Sequence, residues 1–413
     1  MTHQDSRKNA MRRFGLRAAT VAAAAAAVVG CDLTVTNPGA LDDDALNNRQ
    51  AMAGLVNGMS GDLSFALGNY LNRVAVASGE LWHAGNFVTE GAFFRGDFGP
   101  NEVNQDWARM HRARWVAENG LERMQRVLGA DFESFAGTPR AYLYAGFANR
   151  LLGENACVAV IDGGAPQDSS VHFQRADSLF SRAITLGQAQ GNSNVVSAAY
   201  GGRATVRAWL GDWNASAADA QQVSPSFVFN AIFSTNTGRE NLEIAVQTIN
   251  RRETTVWNTV HAEEPFDLRT PWDTVFTASG AVLAGQDGST PFFRQTKYTS
   301  LGDPVALVRG TEMLLLRAEA ALRNGGDVAT ALDFINQGRA EAGMDPAEAG
   351  DLAEAWQLLQ AERGSVLWLE GRRLWDLRRW YAESPPVFND FLEGRNQCIP
   401  PGADEVASNP NIN

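Results

Sequence analysis

The sequence predicts a mainly α fold in which stacked helix pairs frame one loop-rich insertion carrying short strands. Three observations lead there. Apolar residues recur at helical spacing over 104–128, 139–152 and much of the C-terminal third. Small residues such as Ala199, Ala204, Ala208, Ala220, Ala318, Ala321 and Ala331 fall where paired helices must approach closely. Between 224 and 309 the helical period fails, and Trp257, Trp272, Pro265, Pro271, Gly280, Gly285 and Gly288 appear among short candidate strands.

The first element is a leader. Arg12, Arg13 and Arg17 precede an alanine-rich run over 18–29, which closes on Val28-Val29-Gly30-Cys31. This resembles a bacterial lipoprotein signal, in which the cysteine thiol is acylated and the chain is cut just before it. The resemblance implies a signal peptide over 1–30, lipidation at Cys31 and membrane attachment through the N-terminal lipid. A membrane-spanning helix does not fit, because a span needs about 20 apolar residues. An ordinary secretory signal is the alternative. Arg12-Arg13-Phe14-Gly15-Leu16 also loosely resembles a twin-arginine export signal, so either export route stays open. Asp32 is the residue type that keeps some lipoproteins at the inner membrane, and it stands against a simple outer-membrane assignment.

Removing residues 1–30 takes five basic side chains and Asp5 from a chain of net charge -12, which leaves -16. So acidic a chain does not suit the phosphates of nucleic acid, while neutral ligands remain open. Residues 31–45 read as a polar tether, with Asn37-Pro38-Gly39 and the acidic run Asp42-Asp43-Asp44. Residues 46–413 then read as one domain. Its helical scaffold is expected over 46–75, 104–223 and 310–384, its loop-rich ligand side over 76–103 and 224–309, and a polar tail over 385–413. Within the scaffold, helix, loop, helix, turn and helix succeed one another between Phe173 and Val223, with Gly211-Asp212-Trp213 at the last turn. A second pair follows, Glu312 to Arg323 and Val328 to Ala342, joined by Asn324-Gly325-Gly326-Asp327. The helix pairs suggest tetratricopeptide-type stacking, with spacing too irregular for a long solenoid. Cys157 and Cys398 are the remaining cysteines; they are candidates for a disulfide, and two separate buried thiols fit the sequence equally well.

The strongest motif is Glu362-Arg363-Gly364-Ser365-Val366-Leu367-Trp368-Leu369-Glu370-Gly371-Arg372-Arg373-Leu374-Trp375-Asp376-Leu377-Arg378-Arg379. Leu367, Gly371, Leu374, Leu377 and Tyr381 form an apolar stripe, and the segment is expected to be a single core helix with Glu370, Arg373 and Asp376 pairing along it. This motif resembles that of the RagB/SusD family, ER..EL..EG.R..DL.R, with Val366 where the family has glutamate. Arg317-Ala318-Glu319-Ala320 with Asn336 and Arg339 is similar to a second family element. Cys398-Ile399-Pro400-Pro401, with Glu405 and Asn409-Pro410-Asn411, is similar to its closing segment. Asp267-Leu268-Arg269 resembles a family D-P-R with leucine for proline. The resemblance implies a SusD-like fold and a lipid-anchored outer-membrane protein, exposed at the cell surface. Such proteins bind an oligosaccharide or peptide ligand and pass it to a TonB-dependent, SusC-like β-barrel transporter.

Signs of catalysis, cofactor or metal are not found in the sequence. The histidines, His3, His83, His111, His172 and His261, are scattered, with no zinc spacing, no nucleophile elbow and no glycine-rich phosphate cradle. Glu263-Glu264 reads as a solvated loop. The loop aromatics remain: Trp82, His83 and Phe87 early, Trp257 and Trp272 in the insertion, and Phe292, Phe293 and Tyr298 beyond. Indole rings suit the C–H face of a sugar, and Asn86, Asp273 and Arg294 would orient its hydroxyls. In the family, ligands sit against an aromatic arc of this kind. The competing expectation for each ring is burial in the core. Trp107, Trp115, Trp209, Trp213, Trp368 and Trp375 lie on helices and are assigned to packing. Two other functions stay open: a helical scaffold lipoprotein without a small ligand, and a glycoside hydrolase with facing carboxyls.

Overall fold

The computed structural model describes residues 43–236, 241–263, 267–383, 385–386 and 390–412. The leader, Cys31, most of the tether and Glu264 lie outside the described residues. Asp43–Leu46 forms a short 3-10 turn, and the main body begins at Asn47.

Long helices open the body. These are α1 (Met52–Ala77), the short α2 (Val88–Arg95), α3 (Asn104–Leu128), α4 (Thr138–Asn155), α5 (Ser170–Ala189), α6 (Ser193–Trp209) and α7 (Trp213–Ala220). After the insertion come α8 (Gly310–Arg323), α9 (Val328–Glu341), α10 (Leu352–Val366), α11 (Arg373–Glu383) and α12 (Ala403–Ser408). Their starts follow local chemistry. Asn192, Asp212, Asp327 and Asp351 each accept a backbone N–H in the first turn of α6, α7, α9 and α10, which satisfies donors that helix geometry leaves without partners.

Neighbouring helices pack in succession: α1 on α3, α3 on α4, α4 on α5, α5 on α6, α6 on α7, α7 on α8, and α8 on both α9 and α10. The fold is therefore mainly α and built from helix pairs. Glycines as well as alanines make the close approaches. A Cβ on Gly146 or Gly202 would lie 2.6 or 2.5 Å from the Phe180 ring, so α4 and α6 clasp that ring from two sides.

Eight short strands occur among the described residues: β1 (Trp82–His83), β2 (Val158–Ala159), β3 (Gln167–Asp168), β4 (Val228–Ala231), β5 (Thr254–Thr255), β6 (Trp272–Thr274), β7 (Phe293–Gln295) and β8 (Val305–Arg309). They form two-stranded antiparallel ribbons, β1 with β5, β2 with β3, β4 with β8, and β6 with β7. Cys157 and Cys398 are joined by a disulfide with Cα atoms 5.0 Å apart. It ties the start of the β2–β3 ribbon to the C-terminal tail. No helix among the described residues is long and apolar enough to cross a membrane, and no cluster there could hold a metal ion.

The C-terminal motif departs from the expected single helix. Helix α10 ends at Val366, residues 367–372 turn, and α11 starts at Arg373. Leu369 and Gly371 have φ of +57° and +74°, a left-handed conformation that no continuous helix contains. Distant charges impose the break. The Leu369 N–H donates to Glu80 at 2.8 Å, and Glu370 swings out to Lys297 at 2.8 Å and to Arg309 at 2.6 Å. Glu370, Arg373 and Asp376 therefore do not pair with one another. Asp376 accepts from Arg363 at 2.8 Å, and Arg373 donates to Ser78 O.

The remaining motif residues extend this buried lattice. Arg372 reaches Glu154 and Glu312 at 3.0 and 2.9 Å, and Arg379 donates to Glu319 at 2.8 Å. Glu362 is held by Arg269 and Arg339. Asp267 clasps the same Arg269 at 2.8 Å, so the Asp267-Leu268-Arg269 element is also part of the frame. The motif residues fix how the helices meet.

Candidate functional site

Segments that lack helical period gather beside the helical body. After α1 the chain turns through Gly79, with φ +76°, and enters β1, whose Trp82 and His83 lie opposite Thr255 and Thr254 of β5. Thr255 is buried and links two ribbons, since its Oγ1 accepts the Phe293 N–H at 2.8 Å and donates to Pro291 O at 3.0 Å. The Val256 N–H adds a bond to Phe293 O at 2.9 Å. The ribbons β1–β5 and β6–β7 thus lie against each other, held by backbone and one hydroxyl.

On this framework the rings form two groups. Trp82 is half-buried and meets Phe94 edge-on at 4.6 Å between centroids, and Trp257 at 5.8 Å and 89°. His83 lies 6.2 Å from the same Phe94. Burial holds the His83 pKa below its usual value despite the pull of Glu253 and Glu90. The Arg251 guanidinium sits 4.3 Å over the Phe87 ring. In the second ribbon, Trp272 stacks on Phe293 at 4.9 Å and 7°, and its Nε1 donates to His261 O at 3.0 Å. Trp82, Phe87, Trp257 and Trp272 all remain partly exposed. Phe292 and Tyr298 do not belong with them, because each is 2% exposed and packs inside.

The polar groups are arranged differently from the sequence expectation. Asp273 and Arg294 face each other across β6–β7 and form a two-pronged ion pair at 2.5 and 3.0 Å. Side chains alternate along a strand, so this pair lies on the opposite face of the ribbon from the Trp272–Phe293 stack. Asn86 is exposed, and its N–H donates to Glu253 at 3.0 Å.

Glu253, Phe94 and Arg251 were missed in the sequence. Glu253 is fully buried, accepts the N–H groups of Asn86 and Phe87, and shapes the loop that presents Phe87. Gly85 makes this fit: a Cβ there would lie 1.8 Å from Glu253 Oε2. The glycine was readable as a loop signal, but its partner lies more than 160 residues away.

The loop aromatics are partly exposed rather than enclosed in a cavity, and Phe94, Trp272 and Phe293 also pack against the main core. Two cavities lie elsewhere, one of about 440 Å³ at Arg269, Lys297 and Arg309, beyond the end of β6–β7, and one of about 470 Å³ between α3 and α5. Trp115 lines the second and is 53% exposed, which corrects its assignment to packing. Trp107 and Trp368, at 2% and 0%, are core residues, as expected.

Residues 290–410 match the model described as the SusD family. Solved structures share the fold over most of the chain. A SusD superfamily protein from Bacteroides vulgatus is 15% identical, with a TM-score of 0.62 over 88% of this chain and 97% of that one. A SusD/RagB family protein from Bacteroides thetaiotaomicron is 13% identical, with a TM-score of 0.66 over 87% and 94%. A laminarin-binding SusD-like protein is 14% identical, with a TM-score of 0.58 over 88% and 99%. No curated protein matches at the sequence level. The family match over residues 290–410 and the shared architecture of the remainder agree: the chain has the SusD-like fold, and its C-terminal part is similar to the SusD family.

Proposed function

We propose that this protein is a surface lipoprotein that binds a glycan on its loop aromatics and delivers it to a TonB-dependent, SusC-like β-barrel transporter. The observation that carries the reading is a set of partly exposed rings, Trp82 and Trp257 in edge contact at and just past the β1–β5 ribbon and Trp272 on the linked β6–β7 ribbon, beside the helical body. Flat rings with one accessible face stack on sugar C–H surfaces, and an open platform suits a chain longer than one sugar unit. The similarity to a laminarin-binding SusD-like protein supports the ligand class. Acylation at Cys31 would hold the mature chain at the outer membrane, with the polar tether giving it reach.

The reading is of capture without catalysis. Glu253 is sealed beneath Gly85 and Asn86, and Asp273 is clasped by Arg294, so neither carboxyl is poised for proton exchange with a glycosidic oxygen. The test is retention in native gels containing laminarin or other neutral polysaccharides, with Trp82→Ala and Trp272→Ala variants alongside. Retention that both variants lose supports the reading, and retention unaltered in both refutes it. Affinity purification of the lipidated protein from outer membranes should recover a large β-barrel; recovery of none refutes the delivery step.

A further inference from the structure

Trp115 occupies an unusual position for a tryptophan in a helix. It is the one tryptophan among the exposed large apolar side chains of the described residues, and it stands between two cavities. One, of about 470 Å³, runs between α3 and α5; the other, of about 280 Å³, continues past Gly163. Both share Trp115, Arg114 and Asp162. Together they make a groove with an indole midway along it, of the size small-molecule sites occupy.

The groove walls are polar, and most of their charges are engaged with one another, with Glu122 as an additional carboxylate. Arg114 donates to Glu118 and Asp162, each at 2.6 Å, and Arg175 forks onto Glu118 at 3.2 and 2.7 Å. Arg114 is 3% exposed, and its Nε is buried without a hydrogen-bond partner. A free anion or cation would meet an oppositely charged group already engaged. Ligand hydroxyls, which donate and accept, can instead use the spare lone pairs of Asp162 and the guanidinium of Arg175, whose side chains are 63% and 39% exposed, while Arg114 lies buried behind them and holds Asp162 in place.

Asp162 is set in place by more than its ion pair. Its φ is +50°, a strained conformation for a residue with a Cβ, and the segment carrying it is fastened on both sides. The Cys157–Cys398 disulfide lies just before it, while Asn411 and Asn409 donate to Gly163 O and Gly164 O just after it. The tail therefore holds one wall of the groove rigidly.

We propose that the groove around Trp115 is a second carbohydrate site, which takes a neutral sugar segment stacked on the indole and hydrogen-bonded to Asp162 and Arg175, with Arg114 holding Asp162 in place. It is separate from the loop aromatics and shares with the proposed function only the ligand class. The test is fluorine NMR of the whole mature protein carrying 5-fluorotryptophan, with resonances assigned by single Trp→Phe variants. The protein is titrated with neutral oligosaccharides of β-1,3-glucan, α-1,4-glucan, xylan and galactomannan, and with an acidic and a basic peptide.

The site predicts a saturable shift of the Trp115 resonance with at least one sugar. Arg175→Ala should weaken that response about three- to tenfold and leave the responses of Trp82, Trp257 and Trp272 in place. A response of the loop tryptophans alone overturns the second site and leaves the first standing. A response of Trp115 alone does the reverse, and silence at all of them overturns both. A Trp115 response only to the peptides overturns the sugar assignment.

Discussion

Removing the bridge between Cys157 and Cys398 should destabilise this protein more than most single changes can. The two residues are 241 apart in sequence, so the bond closes a loop spanning well over half of the chain. The loop-closure relation gives roughly 5 kcal/mol for a ring of this length, and native bridges generally return about 2–5 kcal/mol. Little of the loss would come from broken native contacts. Cys157 N–H donates to Ile399 O at 2.9 Å and Ile399 N–H to Asn155 O at 2.8 Å, and these bonds survive a Cys→Ser pair. The effect belongs to the unfolded chain, which becomes larger and exposes more surface. Guanidinium unfolding followed by tryptophan fluorescence, comparing wild type with Cys157→Ser/Cys398→Ser, should give a lower midpoint and a steeper denaturant dependence. Equal midpoints, or a shift worth under about 0.5 kcal/mol, would refute the reasoning.

Glu319 gives a test of the buried lattice. Burial pushes its carboxyl up, but the Arg379 guanidinium, with Arg323 and Arg363, overrides this and holds it at about 2. Its stabilisation is therefore full above the unfolded carboxyl's pKa and lost as pH falls towards 2, so Glu319→Gln should cost about 3–5 kcal/mol at pH 7 and progressively less in acid. Thermal melts from pH 7 to pH 3 check this; a constant gap contradicts it. Glu80 has the opposite sign. Burial raises it to about 7, against Arg373 and the Leu369 N–H, so its contribution is present below the unfolded value and lost as pH rises through 7. Glu80→Gln should gain on wild type by about 3 kcal/mol between pH 4 and pH 8, read from urea midpoints at both, and parallel curves would count against it. Gly85→Ala would drive a methyl into Glu253 and displace the loop holding Phe87, lowering the melting temperature and glycan retention together.

The helices were legible because their cues are local. Amphipathic spacing located α3, and small residues together with the turn sequences Gly211-Asp212-Trp213 and Asn324-Gly325-Gly326-Asp327 marked the pairs α6–α7 and α8–α9. The break after Val366 was not legible, because apolar spacing continues smoothly across it. Only Glu80, Lys297 and Arg309, all remote in sequence, turn Leu369 and Glu370 out of a helix. Trp115 was misread although a signal existed: Arg112, Asn119 and Glu122, three, four and seven positions away, mark its face of α3 as polar. The candidate site was legible as residue types in loops, not as geometry. Strand alternation places Asp273 and Arg294 opposite the Trp272 stack, and deciding that requires the register of β6 and β7. Phe292 and Tyr298 likewise differ from Phe293 only through neighbours that the local sequence does not name.

The central claim is that rings on the linked ribbons do the capturing while the helical body stays fixed. Isothermal titration of the best-retained glycan into wild type and into Trp82→Ala/Trp257→Ala/Trp272→Ala tests it most directly, with melting curves confirming an intact fold. The account predicts that the variant keeps its fold and loses the loop-site affinity by a hundredfold or more, from roughly 1 kcal/mol per stacked ring. A folded variant that binds as tightly as wild type would contradict it.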